Sequence, residues 1–81
     1  MLMMFKNMRL VKTTNEGGKS LEGKIFDFNM PLLYSERMSL WDANGRPAVT
    51  FKKIGSRELA PDGSRVIIVS KNSEWTFEKA W

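Results

Sequence analysis

The sequence predicts an all-β fold with at most one short helix. The expected form is a small antiparallel barrel or roll of about five to six strands. Three observations predict it. Turn signals recur at short, fairly even intervals: Asn15-Glu16-Gly17-Gly18, Asn29-Met30-Pro31, Asp42-Ala43-Asn44-Gly45, Gly55-Ser56, Pro61-Asp62-Gly63 and Lys71-Asn72-Ser73. The stretches between them run to about five to nine residues, which is strand length rather than helix length. Several of those stretches alternate apolar and polar residues with a period of two.

Residues 1–7 read as a flexible or edge segment, apolar from Met1 to Phe5 and then interrupted by Lys6. Met8 to Thr14 reads as the first strand, β-branched at Val11, Thr13 and Thr14. From Lys24 to Met30, Phe26, Phe28 and Met30 share one face, and Asp27 and Asn29 lie on the other. Residues 31–43 have two readings. One is a helix with Pro31 in its first turn and Leu33, Tyr34, Arg37, Met38 and Trp41 on adjoining faces. The other is a strand, Met38-Ser39-Leu40-Trp41, entering a hairpin through Asn44-Gly45. The strand is preferred, because Pro47 to Phe51 makes a good return partner, with Val49 and Phe51 opposing Thr50 and Lys52.

Arg65 to Val69 is a β-branched run bounded by turns, suited to a central strand buried on both faces. Residues 73–81 again admit a helix, capped by Ser73 with Phe77 and Trp81 four apart. A strand is preferred, with Trp75, Phe77 and Trp81 on one face and Thr76 and Glu78 on the other. No internal repeat, low-complexity tract or linker interrupts the chain, so residues 1–81 read as one small domain. Closure into a barrel of SH3 or OB size would hide the edges that such a sheet exposes.

Composition narrows the chemistry. The 81 residues carry 13 Lys+Arg against 9 Asp+Glu, with no His and no Cys. Disulfides, zinc fingers, thiol or imidazole nucleophiles and Ser-His or Cys-His arrangements are therefore excluded within the chain. No EF-hand-type loop or phosphate-binding Gly-rich loop is present. The best carboxylate pairs are Asp27 with Glu36 or Asp42, and Glu58 with Asp62, and turn chemistry explains Asp42 and Asp62 better than catalysis does. The expectation is a non-enzyme without metal or cofactor. No apolar run approaches the roughly 18 residues of a membrane span, and the apolar start is too short for a signal-peptide core. These features fit a cytoplasmic protein that does not engage membranes.

Binding is the expected activity, and two partner classes compete. The first is a protein, with the chain acting as a regulator, inhibitor or assembly factor. Small non-catalytic β-domains of that kind are commonly encoded by phages or mobile elements, which is an analogy at the level of fold alone. Phe5, Met8 and Trp81 are its candidate contacts, because Met is an adaptable contact residue and the chain holds 6 of them. An open edge would also permit a homodimer. The plainer reading of the same Met-rich segment is an ordinary edge of its own sheet.

The second class is nucleic acid, held by Arg46, Lys52, Lys53 and Arg57 with Trp41 stacking on bases. The net charge of +4 is modest, and its excess lies in residues 1–24. Read with strict alternation, Arg9 shares a face with Val11 and Lys12 with Met8 and Leu10, which breaks any cationic stripe. Solvation explains the charges, and core packing the aromatics, without any ligand. Protein binding is therefore placed ahead of nucleic-acid binding.

Overall fold

The computed structural model describes residues 3–30 and 37–81. Within the described residues seven antiparallel strands form one sheet: β1 (Met3–Thr13), β2 (Ile25–Met30), β3 (Met38–Trp41), β4 (Pro47–Phe51), β5 (Ser56–Leu59), β6 (Arg65–Ser70) and β7 (Ser73–Lys79). A 3₁₀ turn, η1 (Glu16–Leu21), lies between β1 and β2. The strand order is β4-β3-β2-β1-β7-β6-β5, so β1 is central and β4 and β5 are the two edges.

The all-β expectation holds, with one strand more than expected and with the sheet open rather than closed into a barrel. The openness follows from strand parity. All pairings are antiparallel, so β4 and β5 run in the same sense and the chain passes between them without a hairpin. Only residues 52–55 make that passage. A flat sheet of this order would separate its edges by six strand spacings, roughly 29 Å, whereas the link reaches at most about 18 Å. The sheet must curl.

The curl is visible in its contacts. Phe51 of β4 and Trp75 of β7, four places apart in the order, meet edge to face with ring centroids 5.2 Å apart. The link is tied across to β6, where the Gly55 N–H donates to the Val69 carbonyl at 2.8 Å. The Ser70 hydroxyl donates to the Lys53 carbonyl at 2.9 Å. Phe26, Phe28, Leu10, Val66, Ile68 and Phe77 fill the concave side and are fully buried. Phe28 stands 5.0 Å from Phe77 and 5.3 Å from Phe5. Each such side chain contributes roughly 1.5–3 kcal/mol by leaving water.

Local chemistry explains most element boundaries. In β2 the burial alternates strictly, as the sequence pattern requires. Asp42 makes the β3–β4 turn by accepting from the backbone N–H of Asn44 and Arg46 at 2.9 and 3.0 Å, and Gly45 takes a φ of 76°. The β6–β7 hairpin turns on Lys71 and Asn72, both left-handed. Ser64 donates to Asp62 from its hydroxyl at 2.7 Å and its N–H at 3.0 Å. These bonds, the hydroxyl's foremost, hold the Asp62 carboxyl below the usual aspartate range.

Several expectations are corrected. The first strand begins at Met3; Met3, Met4 and Phe5 pair with β2 alone, as an edge segment does, and from Met8 onward the strand lies between β2 and β7. The short helix is η1, where the sequence reads as a plain turn; Asn15 caps it by accepting from the Gly18 N–H at 3.0 Å. Residues 38–41 and 73–79 are strands, as preferred, and positions 31–36 of the alternative helix lie outside the described residues. β6 buries only one face, with Val66, Ile68 and Ser70 inside and Ile67 and Val69 half-exposed. Trp81 lies beyond β7 and does not share the buried face of Trp75 and Phe77. β5 carries no clear signal in the sequence, since Leu59 is its one apolar residue.

Two bulges in β1 overturn the strict alternation. The register against β2 shifts between Phe5 and Met8, where Asn7 has a φ of 57°. Against β7 it shifts between Leu10 and Lys12. An extra residue at each point moves the following side chains to the other face. Met8, Leu10 and Thr13 are thus all buried, while Lys6, Arg9 and Lys12 are all exposed.

Two outcomes test this account. Gly18 packs so closely on the Trp75 ring that an added Cβ would overlap it. Gly18→Ala should therefore cost about 1–3 kcal/mol in urea unfolding. Replacing Lys71-Asn72 by Asn-Gly suits two left-handed turn positions, and should raise stability by about 0.5–1 kcal/mol in the same assay.

Candidate functional site

Four large apolar side chains are exposed among the described residues: Met4, Val11, Trp41 and Trp81. Trp41 is 40% and Trp81 71% exposed, whereas Trp75 is buried at 4%. The two exposed tryptophans, 40 positions apart in sequence, line one groove of about 440 Å³ on the convex side of the sheet. Ile25 and Asp27 of β2, Asn7 of β1, and Asp42 with the β3–β4 turn complete its lining.

A row of backbone and side-chain contacts across four strands sets this geometry. Trp41 of β3 is in register with Asp27 of β2. The Asp27 Oδ1 accepts from the Asn7 N–H at 2.9 Å, pinning the first bulge of β1. The Asn7 carbonyl in turn accepts from the Ala80 N–H at 2.8 Å, which places Trp81 beside the row. The left-handed backbone of Asn7 is what lets its N–H and carbonyl face both neighbours at this point. Neither carboxylate of the groove is accompanied by a basic lining residue.

The expected protein contacts separate. Trp81 belongs to the groove. Phe5 is half-buried on Phe28 and borders a different hollow with Met4, Leu59 and Pro61. Met8 is 1% exposed and is a core residue, so it cannot meet a partner at the surface. The first bulge of β1, between Phe5 and Met8, turns Met8 to the core, and at Met8 the strand lies between β2 and β7.

The expected nucleic-acid contacts are also dispersed. Trp41 lies in the acidic groove. Arg46 sits at the β3–β4 turn, at one end of β4, and Lys52 and Lys53 follow its other end, roughly 20 Å along an extended chain. Arg57 pairs with buried Ile68, so its stem lies on the core side of β5, half-buried. Lys52 instead borders a hollow of about 360 Å³ with Lys71, floored by Phe51 and Trp75. Of the exposed Lys6, Arg9 and Lys12, Arg9 is in register with Glu78 of β7 and Lys12 with Thr76, while Lys6 precedes that ladder; Glu78 is also in register with Arg65. The Arg65 Nε to Glu78 Oε2 distance is 3.9 Å between exposed groups, a weak surface pair. This is a mixed-charge, solvated face.

Of the carboxylate pairs, Glu36 lies outside the described residues, and Asp27, Asp42 and Asp62 each hold a bulge or a turn. Among the described residues no cluster of three or more Asp or Glu is arranged to hold a metal ion. Nor is any helix long and apolar enough to cross a membrane.

The site and fold define a class: a curled, open antiparallel sheet with a two-tryptophan groove on its convex face. Comparison with known proteins finds no matching family model, no similar curated protein and no similar solved structure.

The sequence reading misses the groove as a unit, because it treats Trp41 and Trp81 as belonging to different sites. Met8→Ala should cost about 2–5 kcal/mol in chemical unfolding, while Trp81→Ala should change stability by less than about 0.5 kcal/mol. The contrast separates core from surface directly.

Proposed function

We propose that the chain is a non-catalytic protein-binding module, acting as a regulator, inhibitor or assembly factor, whose docking surface is the groove between Trp41 and Trp81. One observation carries this reading. Two exposed indoles from distant parts of the chain converge on a single concave site. Grouped exposed apolar side chains mark interaction sites where single ones do not, and tryptophan is among the residue types most enriched at the energetic centre of protein interfaces. The supporting groups are fixed before binding by the Asn7–Asp27 and Asp42 hydrogen bonds, which lowers the entropy lost on docking.

Nucleic-acid binding is the weaker reading, since the groove carries carboxylates and, of the cations expected for phosphates, Arg46 alone adjoins it while Lys52, Lys53 and Arg57 lie elsewhere.

Capture from an extract of the producing cells tests the proposal, using the native chain, Trp41→Ala/Trp81→Ala and the distant control Arg65→Ala. A partner protein held by the native chain and the control should lose about 30-fold or more in affinity for the double variant. A capture profile unchanged by the double variant overturns the groove as the docking surface. Captured material that is nuclease-sensitive and released by moderate salt overturns protein binding in favour of nucleic acid.

A further inference from the structure

Resting on that protein-binding reading, we infer that the groove receives a cationic side chain, an arginine guanidinium or lysine ammonium projecting from a basic segment of the partner. The chain has 13 basic and 9 acidic residues, yet the groove lining includes Asp27 and Asp42 and no Lys or Arg. The lining itself is therefore anionic in a cationic molecule, with Arg9, in register with Ile25, and Arg46, bonded through its N–H to Asp42, standing at its margin.

Each possible occupant meets the same walls. An apolar side chain would bury or crowd two carboxylates without a counter-charge, which costs free energy. An anion would be repelled by both. A cation gains from the carboxylates and from the π-faces of Trp41 and Trp81, since indole is the strongest aromatic partner for a positive charge. Arginine adds a planar fork that matches carboxylate geometry and stacks on rings.

The carboxylates are also oriented in advance. Asp27 is steered through its Oδ1 by the Asn7 N–H, and Asp42 through its Oδ1 by the N–H groups of Asn44 and Arg46. Asparagine at either position keeps an oxygen acceptor for those bonds while removing the charge. That makes Asp27→Asn/Asp42→Asn a variant that tests charge with the scaffold preserved.

The experiment uses the ¹⁵N-labelled full chain, whose three tryptophan indole N–H signals report separately on Trp41, Trp81 and the buried Trp75. The probes are Ac-Gly-Gly-X-Gly-Gly-NH2 peptides at millimolar concentration, with X as arginine, lysine, citrulline or norleucine, and a short single-stranded oligonucleotide. The arginine and lysine peptides should shift the Trp41 and Trp81 signals and leave Trp75 in place. Citrulline, which keeps the shape of arginine without its charge, should bind about three- to ten-fold more weakly. The Asp27→Asn/Asp42→Asn chain should show the same loss toward arginine, with an unshifted Trp75 signal reporting an intact core. Added salt should weaken the arginine complex.

A response to norleucine equal to or above that to arginine overturns the inference while leaving the groove a protein-docking surface. No indole response to any peptide overturns the inference as well, and capture by the native chain but not by Trp41→Ala/Trp81→Ala then judges the protein-binding reading separately. A response to the oligonucleotide alone overturns both.

Discussion

Everything in this molecule depends on the short link between its two edge strands. The four residues from Lys52 to Gly55 join strands that sit at opposite ends of the sheet order. Their limited reach forces the sheet to coil, and the coil creates the concave side on which four phenylalanines and Trp75 pack. A small chain without disulfides has few other ways to enclose a dense core. The same passage leaves β4 and β5 as unpaired edges among the described strands; both are short, β4 opens with Pro47 and β5 exposes Ser56 and Glu58, which limits their value as templates for unwanted pairing.

The convex side depends on β1 as the concave side depends on the link. Its first bulge converts one residue, Asn7, into a bridge between the strands on either side. Without that irregularity Met8 and Leu10 would not both face the core after Phe5. Nor would the backbone at Asn7 engage both Asp27 and Ala80. A local departure from ideal pleating thus serves packing on one face and the groove on the other.

How much of this could be read from the residues varies with how local the cause is. β2 declares itself through Phe26, Phe28 and Met30, and the β3–β4 hairpin through Asp42 and Gly45, because pattern and turn chemistry lie within a few positions. β5 does not, because an edge strand exposing Ser56 and Glu58 has little apolar pattern to show. The bulges leave a faint trace. Lys6, Arg9 and Lys12 recur every three residues, a spacing incompatible with a regular strand but expected of one interrupted twice. Asn7 also belongs to the residue types that tolerate left-handed backbone. The meeting of Trp41 and Trp81 has no local cause at all. It follows from the order β3-β2-β1-β7, which is a property of the whole sheet.

The strand order has a further consequence. Residues 3–51 and 56–79 are each built from pairings between sequence neighbours, and the β1–β7 ladder is the one that clasps the two halves together. Trp41 belongs to the first half and Trp81 follows the second, so the groove exists only while the clasp is shut. Any ligand that spans both indoles then binds the closed form in preference to the open one, and by linkage tightens the clasp. Occupancy of the surface and integrity of the core are a single equilibrium seen from two sides.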